Sequence, residues 1–86
     1  MAPKIDILEH SPELLLVRWV EPGRAHYGEQ RWRPTRALRS GICALSGQKI
    51  VCGDAVFKPG GRPAPGNSHA MILVSAALGD LLASGS

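Results

Sequence analysis

The segment from residue 43 to 59, CALSGQKIVCGDAVFKP, constrains the fold of this chain more than any other part of it. Two tight-turn signals, Ser46-Gly47 and Gly53-Asp54, separate three short runs of largely apolar residues. Short runs that are bounded by turn residues are typical of β-strands. The segment therefore predicts short strands at residues 42–45, 49–52 and 55–58, joined by tight turns.

The cysteine before the first turn raises the question of a zinc knuckle, in which a Cys-x-x-Cys pair binds the metal over a tight turn. Cys43 takes the first position here, but Ser46 takes the second and Gly47 follows. A neutral hydroxyl is a poor zinc ligand and no second cysteine pair follows, so we predict a degenerate, treble-clef-like knuckle without metal. A knuckle that still binds zinc is the less favoured alternative. Its candidate ligands are Cys43, Cys52, His69 and either His10 or His26.

In a knuckle without metal the same residues have structural roles. Ser46 and Asp54 are each expected to hydrogen-bond to the backbone of their own turn. Both cysteines are expected to be reduced and buried as small apolar side chains. The predicted structural turn residues are Cys43, Ser46, Gly47, Gly53 and Asp54.

The first 30 residues predict one strand. Residues 14–20 are apolar and end on the turn signal Pro22-Gly23, and a strand there places Leu15, Val17 and Trp19 on one face. Residues 1–12 contain two prolines and are expected to form a loose lead-in. Residues 24–30 are expected to form a loop or a wide hairpin turn.

Residues 31–39, RWRPTRALR, alternate as a strand would, with Trp32 and Leu38 on one face. Pro34 lacks a backbone donor, which predicts an edge strand or a break. Guanidinium groups suit phosphates and an aromatic ring can stack on an unpaired base, so this segment is a candidate nucleic-acid site. Its residues would be Arg31, Trp32, Arg33, Arg36 and Arg39. In the alternative interpretation Trp32 is core and the arginines protect an edge strand.

After an exposed Gly/Pro loop at residues 59–66, Asn67 or Ser68 could cap a helix over residues 68–83. That helix is apolar on most sides and must be nearly enclosed. A chain of 86 residues can hardly surround it, which favours a homodimer or a protein partner. The candidate interface residues are Met71, Ile72, Val74 and Leu78.

Composition and charge narrow the class of protein. Residues 1–86 are expected to form one domain, and no apolar run approaches the roughly 20 residues of a membrane span. Without a secretory signal, we expect a cytoplasmic protein that binds no membrane. Residues 1–30 carry a net charge of −2 and residues 31–86 a net charge of +5, which indicates a polarised surface. No catalytic motif is present, so we expect no enzyme, no catalytic residues, no cofactor and no metal.

Three segments together resemble a family of short bacterial proteins that form a domain of unknown function. They are VRWVEPGRAHYGEQRWRPTRA, GICALSGQKIVCGDAVFKP and NSHAMILVSAAL, within residues 14–78. The resemblance implies no activity, cofactor or catalytic residue.

We therefore expect an α+β fold: a small, strongly curved antiparallel sheet of four or five short strands with a knuckle-like hairpin, packed by one C-terminal helix. The expected function is a non-enzymatic interaction module that acts through protein–protein contacts or homodimerisation. Nucleic-acid binding through residues 31–39 is the alternative.

Overall fold

The computed structural model describes the backbone of residues 3–84 and the side chains of residues 3–79. In this part of the chain the elements are β1 (Lys4–Ser11), β2 (Leu14–Glu21), β3 (Ala25–Arg36), β4 (Gly41–Ile42), β5 (Lys49–Ile50), β6 (Ala55–Pro59), β7 (Ile72–Leu73) and α1 (Val74–Ser84). Five of the strands form one antiparallel sheet in the order β1-β2-β3-β6-β7, and β4 pairs with β5 in a separate hairpin. The architecture is a small α+β fold with one short C-terminal helix.

The five-stranded sheet is strongly curved. The rings of His10 on β1 and Phe57 on β6 meet edge to face, with their centroids 5.8 Å apart. Because β2 and β3 lie between these strands, a flat sheet would separate them by roughly 14 Å at the usual spacing of about 4.8 Å per strand. The helix α1 contacts both β1 and β7, the two edges of the sheet. The curved sheet thus encloses its own core, and the helix bridges its edges.

The core lies on the concave face of this sheet. Leu15, Val17 and Trp19 of β2 are buried, as their alternation predicts, while Arg18 between them is exposed. Trp32 of β3 packs against Trp19 with ring centroids 5.8 Å apart. The buried hydrophobic residues beyond β2 are Trp32, Ala37, Cys43, Ile50, Val56, Phe57, Ala70, Met71, Ile72 and Ala77. Burial of each large apolar side chain favours folding by about 1.5–3 kcal/mol.

Two expectations for the N-terminal third are wrong. The predicted loose lead-in at residues 1–12 is wrong over residues 4–11, since Lys4–Ser11 forms an edge strand paired with β2. Residues 24–30 are not a loop, since β3 begins at Ala25 and only a tight turn, closed by the Arg24 N–H and the Glu21 carbonyl (2.9 Å), precedes it. Both stretches are polar on one side, and their strand structure depends on pairing with the strongly apolar β2.

Pro34 neither ends β3 nor makes the whole of it an edge strand. β3 pairs with β2 as far as Trp32 and with β6 from Trp32 to Arg36. The Arg31 carbonyl accepts from the Gly60 N–H, and the Ala37 N–H donates to the Asp54 carbonyl. The backbone groups of the odd-numbered residues therefore point toward β6. The backbone N–H that Pro34 lacks would therefore have pointed away from β6, toward a place where β2 has already ended. The strand ends two residues later, and Leu38 does not share the buried face of Trp32.

The helix begins later than expected. It starts at Val74 and not at residue 68, because Ile72 and Leu73 form β7 and pair with β6. Asn67 does not cap it, since the Asn67 side chain is buried and pairs with the amide of Gln30. Residues 60–64 are exposed, as expected for the Gly/Pro loop, although Pro59 is buried at the end of β6. In the described part of the chain no helix has the length and apolar character to cross a membrane.

Candidate binding surface around residues 38–42

The most exposed large apolar side chains of the described residues lie in one short segment, residues 38–42, which connects β3 to the hairpin and includes the two residues of β4; we call it the 38–42 loop. Leu38 is 90% exposed and Ile42 is 63% exposed. Both ends of the loop are anchored: buried Ala37 exchanges backbone hydrogen bonds with Gly53 and Asp54, and the Cys43 N–H donates to Gln48. Both ends of the loop are therefore fixed to the body of the protein, while the side chains of Leu38 and Ile42 remain exposed.

One side of the 38–42 loop borders a cleft of about 510 Å³, which we call the cationic cleft. Arg24 from the β2–β3 turn and Arg39 from the loop line it, together with His69 from the segment before β7. Trp19 forms part of its wall, and its indole Nε1–H donates to Oε1 of Glu21 at 2.8 Å. Two arginines against one carboxylate give the lining a net charge of +1 while His69 is neutral.

The other side of the loop borders a smaller hollow of about 300 Å³, which we call the second hollow. It is lined by Leu38, Arg39, Lys58 and Met71. Arg39 and Met71 line both hollows, so the two hollows adjoin each other beside the loop. The surface thus combines two apolar side chains with two neighbouring cationic hollows.

The knuckle lies directly behind this surface and has the expected turn contacts. Sγ of Cys43 accepts hydrogen bonds from the N–H groups of Ser46 (3.5 Å) and Leu73 (3.3 Å). Burial raises the pKa of the Cys43 thiol, but hydrogen bonds from Ser46 and from the backbone of Leu73 and Leu45 outweigh it, and the net pKa is lowered. The Ser46 hydroxyl accepts from the Gln48 N–H at 3.3 Å. The sulfur is held as in a metal knuckle, with N–H groups pointing at it.

The second turn of the knuckle is also closed by its own side chain. Oδ2 of Asp54 accepts from the Val51 N–H at 2.9 Å. Gly47 and Gly53 have φ angles of +77° and +95°, in the left-handed region that favours glycine. The expectation that both cysteines are buried is half wrong, because Cys43 is buried and Cys52 is exposed.

The structure does not assemble the candidate zinc ligands. Among the described residues, no three or more His, Cys, Asp or Glu side chains lie close enough together to hold a metal ion. His69 instead lines the cationic cleft, and Cys52 lies exposed in the turn before β6.

The five candidate nucleic-acid residues lie in different places. Trp32 is fully buried and its Nε1–H donates to Gln30 Oε1 at 3.0 Å, so its expected stacking on a base is wrong. Arg31 and Arg33 alternate with Trp32 and point to the outer face, where Arg33 lies opposite Lys58. Arg36 donates to the Gly53 carbonyl at 3.3 Å, and Arg39 lines both hollows.

The four candidate interface residues do not form one exposed stripe. Met71 and Ile72 precede the helix and are buried, so their expected place on an exposed helix face is wrong. Val74 is half-buried, and Leu78 is about half exposed. The exposed apolar surface lies at Leu38 and Ile42 instead. Alternation had placed Leu38 on the same face as the buried Trp32, whereas Ile42 lies in a strand, as predicted, with its side chain exposed. The sequence signal was a Ser-Gly pair between two large apolar residues, directly after a strand that contains proline.

Comparison with known proteins adds a family and no activity. No curated protein and no solved structure matches the chain. A family model described as Domain of unknown function (DUF3331) matches residues 3–79. The match includes every strand, the 38–42 loop and both hollows, and it extends the resemblance noted at residues 14–78 to β1. The chain therefore belongs to the family Domain of unknown function (DUF3331).

Proposed function

We propose that this protein is a non-catalytic binding module that docks a segment of another protein on the 38–42 loop. The observation that carries the proposal is the exposure of Leu38 and Ile42 on a loop with fixed ends. Exposed apolar side chains that cluster beside a cavity and are rimmed by polar groups are typical of protein-interaction sites. The two hollows beside the loop supply that setting.

The apolar contacts by themselves support only weak binding. Burial of Leu38 and Ile42 contributes about 1.5–3 kcal/mol each at most. The loss of translational and rotational freedom on association costs about 4–15 kcal/mol. A specific complex therefore needs polar contacts as well, and the charged side chains of the hollows are the nearest source.

Charge decides the kind of partner. Arg24, Arg39 and Lys58 surround the loop, and Glu21 is the one carboxylate in the lining of either hollow. A two-fold homodimer through this surface would place the same cationic patch of both copies face to face, which is unfavourable. A partner segment with apolar and acidic residues complements both features. Protein binding is thus favoured over homodimerisation at this site.

A random peptide library displayed on phage tests the proposal. We expect wild-type protein to select peptides with apolar and acidic residues, and the Leu38→Ser/Ile42→Ser variant to bind them at least about tenfold more weakly. Because both side chains are exposed, the variant should fold normally. Leu8→Ser is the matched control, since Leu8 is an exposed leucine that lines neither hollow. Equal binding by the loop variant, or selection of no peptide, would contradict the proposal. Sedimentation of the free protein as a dimer, lost in the loop variant, would identify a second copy as the occupant.

A second candidate function is nucleic-acid binding on the outer face of the sheet. The observation that favours it is the row formed by Arg31, Arg33 and Lys58. When the logarithm of the binding constant is plotted against the logarithm of the salt concentration, each phosphate contact makes the slope more negative by about 0.7–0.9. Binding of labelled single- and double-stranded nucleic acid across a salt series, with Arg31→Ala/Arg33→Ala/Lys58→Ala as the variant, tests it. Absence of binding at low salt would exclude this function.

A further inference from the structure

We infer that the cationic cleft binds a carboxylate, and that Arg24 and Arg39 hold the acidic side chain of the docked partner there. The inference rests on the proposed function and names the contact that would make the docking specific. Arginine presents a planar fork of donors that matches a carboxylate, and such charge-assisted pairs are stronger than neutral hydrogen bonds.

The fold brings the two arginines to one cavity from distant parts of the sequence. Arg24 lies in the tight turn between β2 and β3, which the Arg24 N–H closes by donating to the Glu21 carbonyl (2.9 Å). Gly23 supplies the positive φ of +75° that this turn needs. Arg39 comes from the 38–42 loop, next to the exposed Leu38. An acidic residue close to an apolar one in a partner could therefore reach the cleft while its neighbour covers the loop.

The one carboxylate of the cleft already has a partner. Glu21 accepts the indole N–H of Trp19 at 2.8 Å. It offsets one of the two arginine charges and leaves a net charge of +1 with neutral His69. A single carboxylate matches that charge. A phosphate monoester, with a charge of about −1.5 to −2 at neutral pH, exceeds it and would lie in the same cavity as Glu21.

The cleft has room for an acidic side chain, and its walls combine apolar surface with hydrogen-bond donors. Its volume of about 510 Å³ lies within the range of about 300–1,000 Å³ that is usual for ligand pockets. Trp19 and Met71 provide apolar surface for methylene groups, and the arginines provide donors for the carboxylate. Glutamate, with two methylenes before its carboxylate, combines both requirements.

The two tryptophans of the chain supply a reporter with an internal control. The indole N–H of Trp19 is at the wall of the cleft, whereas that of Trp32 is buried against Gln30. In ¹H–¹⁵N NMR spectra we expect butyrate, a monocarboxylate with an alkyl chain, to shift the Trp19 indole signal and to leave that of Trp32 in place. Arg24→Gln should abolish the shift. Equal movement of both signals, no movement, or a larger effect of inorganic phosphate would overturn the assignment.

The peptides selected on the 38–42 loop test the same site in the complex. We expect Arg24→Gln and Arg39→Gln each to weaken binding about tenfold or more, and replacement of the critical peptide glutamate by glutamine to do the same. Arg62→Gln is the matched control, because Arg62 is an exposed loop arginine that lines neither hollow.

The outcomes separate the two proposals. If the loop variant loses the peptide while Arg24→Gln binds normally, the docking proposal stands and the carboxylate site is wrong. If butyrate shifts the Trp19 indole signal but the peptide glutamate is dispensable, the cleft takes a free carboxylate, and the inference about the partner is wrong.

Discussion

Replacing Asn67 by alanine is expected to destabilise the protein strongly, although Asn67 lies in a loop. Asn67 is buried, and its amide pairs with the amide of Gln30 through two hydrogen bonds: Gln30 Nε2–H donates to Asn67 Oδ1 (2.8 Å), and Asn67 Nδ2–H donates to Gln30 Oε1 (3.0 Å). Gln30 Oε1 also accepts from Trp32 Nε1 at 3.0 Å. The network thus ties the loop before β7 to the centre of the sheet.

The size of the expected destabilisation follows from the buried polar groups that the alanine variant leaves without a partner. Without Asn67, Gln30 Nε2 is a buried donor with no partner, which costs about 1–3 kcal/mol, and a second hydrogen bond worth about 0.5–1.5 kcal/mol is lost. We expect the free energy of unfolding to fall by about 2–3 kcal/mol. A chain of this length has a total stability of only about 4–13 kcal/mol. The midpoint of thermal unfolding should fall by about 10 °C or more.

Urea unfolding followed by far-ultraviolet circular dichroism measures this change. Ser68→Ala is the control, because no hydrogen bond of the Ser68 side chain contributes to this network, and it should cost less than about 0.5 kcal/mol. A double-mutant cycle with Gln30→Ala should show coupling of about 1 kcal/mol or more, since both changes disrupt the same pair. Additive effects would refute the reasoning. A helix cap at Asn67 would predict additivity and a loss of only about 0.5–2 kcal/mol.

Three further predictions concern the knuckle. Gly47→Ala should lower the free energy of unfolding by about 1 kcal/mol, because residue 47 has a φ of +77°, at which a side chain is strained. Urea unfolding measures the change, and an unchanged stability would contradict the prediction. Iodoacetamide should alkylate exposed Cys52 in the native protein and buried Cys43 only after unfolding, so mass spectrometry of Cys52→Ser should show no rapid modification. In a Cys52→Ser background, the stability difference between Cys43 and Cys43→Ala should grow as pH rises from the lowered pKa of Cys43 toward 9.0 and should not change with pH below that window; a flat profile throughout would contradict it.

Features that depend on a few neighbouring residues were predictable. The strand over residues 14–20 and the burial of Leu15, Val17 and Trp19 follow from alternation with a polar residue. The two knuckle turns follow from serine, aspartate and glycine at the positions that turns require. These effects act within about four residues, so they are visible in the chain itself.

Features that depend on a partner elsewhere in the chain were not predictable. β1 and the first part of β3 are polar on one side and become strands because β2 offers them backbone groups to pair with. The apolar pattern of residues 71–73 predicts a helix, yet Ile72 and Leu73 pair with β6, and the helix begins only at Val74. Local preference was overridden there by hydrogen bonding to a strand more than ten residues away.

The sequence alone determined the turns, the strongest strand, the family resemblance and the small α+β class. The tertiary structure decided the binding surface. Arg24, Arg39 and His69 are far apart in the chain, and the tertiary fold brings them to one cleft. Leu38 is exposed because β3 ends at Arg36 and Ala37 takes the buried position, a shift of one residue that alternation cannot detect. Local preferences are short-ranged, whereas a cavity is defined by which distant elements meet.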